Sequence, residues 1–279
     1  MSIQTINYEN GNKYKGEVKD GIPHGVGIEW FKDTGNRYEC TYIHGKRYGP
    51  GKSFYPDGDR YEGEFRDGLF HGKGKYFWSD GAAYEGDFFN DKLHGNGRYT
   101  TAKGNVYECE YRDGERNGFG KAKYTSGDRY EGEFKAGLFN GRGKYMWKAG
   151  DVYEGEFKDD LLHGRGTHVT PNGTRYECEY RNGKRDGQGR VYYPNGEYFE
   201  GELKNDHFNG RGKYQYNDGT IYEGDWVNDA KNGRGKTFYP NGDRYEGEYR
   251  NNRRTGGLYY YKDGRHEFFK DKDPEEDRG

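Results

Sequence analysis

Rings, glycines and charges alternate along this chain in short stretches that keep returning. In Tyr61-Glu62-Gly63-Glu64-Phe65 the two rings and the glycine face one way and the glutamates the other. That is the period of two expected of a strand with one apolar face, here called strand A. From Gly72 to Trp78, the residues Gly72, Gly74, Tyr76 and Trp78 share one face while Lys73 and Lys75 share the opposite one; this predicts strand B. Arg66-Asp67-Gly68 between the strands and Ser79-Asp80-Gly81 after them are turn sequences, with glycine where a positive φ is required. In other copies Asp91, Asp160, Asp206, Asp229 or Asn252 takes the first glycine's place, and these residue types tolerate the left-handed conformation. Pro56, Pro171, Pro194 and Pro240 all fall in the second turn, where a fixed φ helps and no ladder hydrogen bond is lost.

The hairpin so predicted recurs throughout. Its leading aromatic stands at Tyr14, Tyr38, Tyr61, Tyr84, Tyr107, Tyr130, Tyr153, Tyr176, Phe199, Tyr222 and Tyr245, with nine intervals of 23 residues and one of 24. A fixed period of this size marks a repeat architecture, in which each unit packs on its neighbours and function resides in an extended surface. Strand A carries glutamates on its polar face and strand B carries Lys or Arg, so alternating strands bring opposite charges together, worth about 0.2–1 kcal/mol per pair. On the other face glycines sit beside rings. Glycine weakens a strand interior unless something approaches closely, so the rings are expected to lie flat over bare backbone and form the core. Gly63, Gly72, Gly74, Gly132, Gly141 and Gly143 are the expected ring-packing glycines.

Composition supports this reading. Only 29% of the 279 residues are hydrophobic while 18% are aromatic, too few aliphatic side chains for an ordinary core. The formal net charge of −2 provides no field for nucleic acid, and none is expected as a partner. Cys40, Cys109 and Cys178 lie 69 residues apart. Three two-strand repeats at about 4.8 Å per strand separate neighbouring thiols by roughly 29 Å, beyond the roughly 7 Å that a disulfide spans between Cα atoms. Each cysteine replaces the strand A glycine, and in those repeats the tyrosine site of strand B holds Ser53, Ala122 or Val191, a larger residue met by a smaller one. The same 69-residue step relates Trp78 to Trp147, which points to triplication of a three-repeat block. Free thiols, no apolar run near 18 residues and no signal pattern lead to the expectation of a soluble cytosolic chain.

The pattern Tyr-x-Gly-x-aromatic-x-x-Gly-x-x-x-Gly-x-Gly resembles the MORN repeat family. All eleven copies hold its third glycine, from Gly25 to Gly256, and the fourth fails only at Leu258. The resemblance implies an all-β fold: an elongated single-layer antiparallel sheet of about eleven hairpin repeats, a twisted open solenoid curved like a gutter. The expected organisation is a lead-in over 1–13, the array over 14–265 and a charged tail over 266–279. It further implies a repeat-only scaffold similar to radial spoke head proteins and cortical cytoskeletal scaffolds, located in the cytoplasm and cytoskeleton, above all a cilium or flagellum axoneme. Expected partners are other proteins of such an assembly and a second copy joined through terminal repeats. Membrane lipid, as phosphoinositide, is the alternative partner, with Lys184-Arg185 and Arg253-Arg254 as its basic candidates.

Catalytic and cofactor chemistry is not evident. Gly49-Pro50-Gly51-Lys52-Ser53 lacks the first glycine of a phosphate-binding loop, where Lys46 stands, and follows the ordinary phase of strand B. His24, His71, His94 and His163 occupy one turn position, about 10 Å apart between adjacent repeats and too distant to share a zinc. No enzyme, cofactor or metal is expected. The functional surface is instead expected to be a ring-lined groove formed by Tyr61, Phe65, Tyr76, Trp78, Tyr84, Phe88, Tyr130, Phe134, Tyr145, Trp147, Tyr153, Phe157, Tyr222 and Trp226.

Overall fold

The computed structural model describes residues 2–270, and all the regular structure among them is β. Eleven seven-residue A strands, such as Arg60–Arg66, alternate with eleven B strands, such as Leu69–Phe77. Ser2–Asn7 and His266–Lys270 add a strand at either end. The chain divides into two compact units, Met1–Phe139 and Asn140–Gly279. In the first, each strand pairs antiparallel with its predecessor and successor, from Ser2–Asn7 against Lys13–Lys19 to Glu115–Lys123 against Arg129–Lys135. The second repeats this order from Leu138–Met146 to His266–Lys270. Each unit is therefore one open layer of successive hairpins.

Local chemistry closes each hairpin. Between strands A and B lie two residues that are both left-handed: Asp67 has φ 52° and Gly68 has φ 89°. This is the I′ turn, whose twist matches that of the flanking strands. It recurs with Asn90 and Asp91, with Asn205 and Asp206, and even with Ala136 and Gly137, where alanine carries φ 49°. Between B and the next A, the amide of Gly81 donates to the carbonyl of Trp78 while the Asp80 carboxylate accepts from the amide of Ala82. Gly81 is again left-handed, so this connection is a tight turn closed by glycine.

Strand B begins at Leu69, three residues earlier than the sequence pattern suggests, and contains a bulge. Gly63 pairs with Gly74, but the next residue, Glu64, pairs with His71, so Gly72 and Lys73 are extra on that side. Gly72 takes φ 59° and Gly141 takes φ 99°. An added Cβ on Gly72 would collide with the Glu64 carboxylate. This corrects the assignment of Gly72 and Gly141 as ring-packing glycines, because their conformation serves the bulge. The segment His266–Lys270, grouped with the tail on sequence, is a strand that sets Phe268 opposite Leu258. The rest of that tail, 271–279, lies outside the described residues.

Candidate functional site

Each layer has two unlike faces. On one, the Tyr61 ring lies across the paired glycines Gly63 and Gly74, and a Cβ placed on Gly74 would stand 2.5 Å from its Cε2 atom. The Tyr61 hydroxyl donates to the carbonyl of Glu64 at 2.8 Å, where the register slips. Phe70 stacks on the exposed side of that ring at 3.8 Å, and Phe65 and Phe88 meet it edge-on at 5.3 and 5.1 Å. The arrangement returns around Tyr130, stacked on Phe139 at 3.7 Å, and around Phe199, stacked on Phe208 at 3.6 Å. Edge contacts from Tyr84 to Tyr111 and from Tyr153 to Tyr180, both 5.2 Å, carry the stack from one repeat to the next, in the T-shaped geometry aromatic pairs prefer.

These rings are core rather than docking surface. Tyr61, Phe65, Tyr84, Phe88, Tyr130, Phe134, Tyr153, Phe157, Tyr222 and Trp226 are all buried within the chain itself. Only Tyr76 and Trp78, with Tyr145 and Trp147, remain half-exposed, as tilted pairs 4.6 Å apart. The expected ring-lined groove is thus corrected for those ten rings, which lie buried within the chain. Gly132 and Gly143 pair with Gly120 and Gly155 of the adjoining repeats, as Gly63 and Gly74 pair with Gly51 and Gly86.

In three repeats a cysteine replaces the first of the paired glycines, and the packing changes. The Sγ atoms of Cys40, Cys109 and Cys178 press on Gly51, Gly120 and Gly189, occupying the space a flat ring would need. Tyr107 and Tyr176 are only half-buried, while Tyr38 in the third such repeat is buried. An arginine takes the place of the stacking phenylalanine: Arg47 lies 3.9 Å over Tyr38, Arg116 4.1 Å over Tyr107 and Arg185 4.3 Å over Tyr176. Each also donates to the carbonyl of the next hairpin turn, at Gly68, Gly137 or Asp206. Burial pushes the Cys40 thiol up to about 12 and those of Cys109 and Cys178 to about 11, so none is a reactive thiolate at neutral pH. The stacking position after the first turn was not singled out in the sequence, although Arg47, Phe70, Leu93, Arg116, Phe139 and Leu162 there repeat with the 69-residue step of the cysteines.

Two concavities lie on the opposite, charged face. In the first unit, a concave volume of about 950 Å³ is bordered by Glu62, Lys75, Glu85, Arg98 and Glu108, with Phe119 at its end. In the second, a volume of about 620 Å³ is bordered by Arg211, Lys213, Glu223, Arg234, Lys236 and Glu246. Cross-strand ion pairs tile both, including Lys75–Glu85 at 2.9 Å and Lys213–Glu223 at 3.0 Å. A second set of carboxylates has another task. Those of Glu17 and Asp225 fold over the bulge glycine and accept the backbone amides of Val26 and Arg234 at 2.9 and 3.0 Å. The basic pairs proposed for lipid are partly consumed: Arg185 is bound to Tyr176 and Asp206, and Arg254 lies over Tyr245 and Phe269. Among the described residues no group of three or more His, Cys, Asp or Glu side chains could hold a metal ion.

The MORN repeat model matches eleven consecutive segments, from 14–35 to 245–264. The chain belongs to the MORN repeat family. Its matched segments begin at the leading aromatics, so each covers one A strand, one B strand and both turns. No curated protein matches this MORN chain by sequence. Among solved structures it is similar to the TCP10c domain of Drosophila melanogaster Sas-4, with 16% identity, TM-score 0.31, and 63% of this chain and 93% of that chain covered. It is also similar to the G-box domain of the microcephaly protein CPAP, with 15% identity, TM-score 0.29, and 80% and 100% covered. A streptogramin B lyase gives 14% identity, TM-score 0.16, and 98% and 88% covered. Likenesses this low carry nothing about function.

Proposed function

We propose that this MORN protein is a non-catalytic scaffold that docks partner proteins along the charged face of its repeats within a cytoskeletal assembly, of the kind found in a cilium or flagellum axoneme. The observation that carries the reading is the division of labour between the faces. The apolar side is satisfied within the chain, while the other side presents a regular lattice of exposed charge over glycine backbone. Such a lattice suits recognition by position and charge, which confers specificity and rapid encounter more than raw affinity. The end strands add a second feature: Ile3 and Phe268 are exposed at 76% and 69% on strands with one edge unpaired among the described residues. Self-association through the terminal repeats is part of the proposal. Cross-linking followed by purification of the tagged protein tests it. Recovery of defined cytoskeletal proteins, lost on reversing charge along the A strands, supports the scaffold; recovery of none overturns it. Light scattering over a concentration series reads the homodimer.

Phosphoinositide binding is the second reading, favoured by the exposed guanidinium groups of Arg165, Arg211 and Arg234. The carboxylates interleaved with them weigh against a flat anionic surface, since stable attachment by charge takes about four to eight basic residues together. Vesicle flotation at physiological salt separates the two.

A further inference from the structure

The position between the third and fourth glycines of each repeat projects from the charged face, and the two units fill it differently. In the first unit it holds Val26, Pro50, Lys73, Asn96 and Phe119; in the second it holds Arg142, Arg165, Gln188, Arg211 and Arg234. Arg165, Arg211 and Arg234 have side chains 87%, 89% and 90% exposed. Each comes within ion-pair distance of a carboxylate through Nε, at 3.7, 3.7 and 3.3 Å to Glu179, Asp225 and Glu248. Those carboxylates are more sheltered, at 40%, 39% and 53%, and Glu179 and Asp225 are engaged with the backbone of the next bulge. Although acidic and basic groups are intermixed in this layer, these three arginines are its most exposed ion-pair members, and their guanidinium heads face solvent.

From this geometry we infer that the second unit binds an extended acidic segment of a partner protein, its carboxylates seated on the forks of Arg165, Arg211 and Arg234. The inference rests on the scaffold reading and names the partner's chemistry. Successive repeats advance by about 9.6 Å, two strands of 4.8 Å, and three residues of extended chain cover about 9.9 Å. A segment crossing the strands therefore meets one arginine per three residues, with Gln188 facing the interval between the first and second. Carboxylates at i, i+6 and i+9, counted from the Arg165 end, match the row. Guanidinium is the suitable partner for such a contact because its planar fork binds carboxylate with two parallel hydrogen bonds. A membrane cannot choose between the arginines and the neighbouring carboxylates; a segment with spaced acids can.

The test uses the full chain and fluorescein-labelled synthetic peptides in a Ser/Ala background: one with glutamates at i, i+6 and i+9, and one of the same composition with the three glutamates adjacent. Anisotropy titrations are run at low and physiological salt beside vesicles containing phosphatidylserine. The spaced peptide should bind more tightly than the clustered one, weaken with salt, and lose at least about tenfold with Arg165→Gln/Arg211→Gln/Arg234→Gln, a difference of about 1.4 kcal/mol. Lys73→Gln in the first unit should change nothing. The corresponding triple Arg→Lys variant should fall between wild type and the glutamine triple. Equal binding of both peptides, an unaffected glutamine triple, or arginine-dependent binding of vesicles without peptide binding would each overturn the proposal. Circular dichroism of the triple variant confirms that a loss of binding is not a loss of fold. If the glutamine triple still retains cytoskeletal partners in the cross-linking assay, the site is wrong and the scaffold stands. If wild type captures none, the scaffold reading itself fails.

Discussion

The repeat led by Tyr61 and the repeat led by Tyr107 have the same strands, turns and bulge, yet they solve the core in opposite ways. With glycines at both crossing positions, the Tyr61 ring lies flat on the backbone beneath Phe70 and is sealed from water. With Cys109 at one crossing, the Tyr107 ring is displaced, a thiol fills the gap, and Arg116 covers the ring from above. A cation over a ring and its hydrogen bond to the next turn replace a ring on a ring. In this pair a cysteine side chain in place of a glycine goes with arginine in place of phenylalanine over the leading ring, while glycine repeats elsewhere also accept Lys231 over Tyr222 and Arg254 over Tyr245. The lesson is that packing in these layers is set by the space above the backbone, which the glycines hold open.

Alkaline titration gives the largest expected break between the two kinds of repeat. The folded protein holds its buried thiols near 11 to 12, above their ordinary 9.0, and its core tyrosines above their ordinary 10.0, chiefly through burial. A group whose folded pKa is raised contributes full stability below its unfolded value and loses it as pH climbs through the folded one. Stability should therefore be flat to about pH 9, decline first in the cysteine repeats, and collapse above about pH 10 as the tyrosines follow. Circular dichroism with tyrosinate absorbance checks the order, and replacing all three cysteines by alanine should remove the first phase. Tyr61→Ala, which empties a sealed site, should cost about 3–5 kcal/mol in urea unfolding, and Tyr107→Ala distinctly less. Gly74→Ala should cost about 1–3 kcal/mol because the added methyl meets the Tyr61 ring. Arg116→Lys should cost about 1–2 kcal/mol, since the flexible ammonium keeps the charge but not the planar cover and its bond to Gly137. Arg211→Lys on the open face should stay within about 0.5 kcal/mol. Smallest and opposite in sign, Ala136→Gly should stabilise by about 0.5 kcal/mol, because alanine pays roughly 1–2 kcal/mol for its left-handed backbone while glycine does not.

The hairpins, their charge pairing and the glycine-ring core were legible because alternation, turn residues and the 23-residue step all point to the same structure. Three features were less accessible. The second residue after the first turn changes identity among Arg, Phe, Leu and Lys, so it reads as loop until Phe70 is seen lying on Tyr61. Gly72 has the right parity for the ring face, and only its positive φ and the slipped register show that it serves a bulge. Alternation also tells two faces apart without saying which is sealed. Rings led by Tyr61 and Tyr130 seal one another, and the two concavities described lie among the charges. The carboxylates of Glu17 and Asp225, which look like ordinary ion-pair partners in the sequence, are committed to backbone amides within their own hairpins.

That last arrangement bears on how the chain acquires its structure. A carboxylate that clasps an amide nine positions later, beside a tyrosine hydroxyl bonded three residues on, makes hairpins such as those led by Tyr14 and Tyr222 self-closing nuclei whose assembly involves no distant segment. Within either unit, formation should start at any hairpin and spread outward by zippering, rapidly and with little topological penalty. Damage to one hairpin should then fray its immediate neighbours and leave remote ones standing.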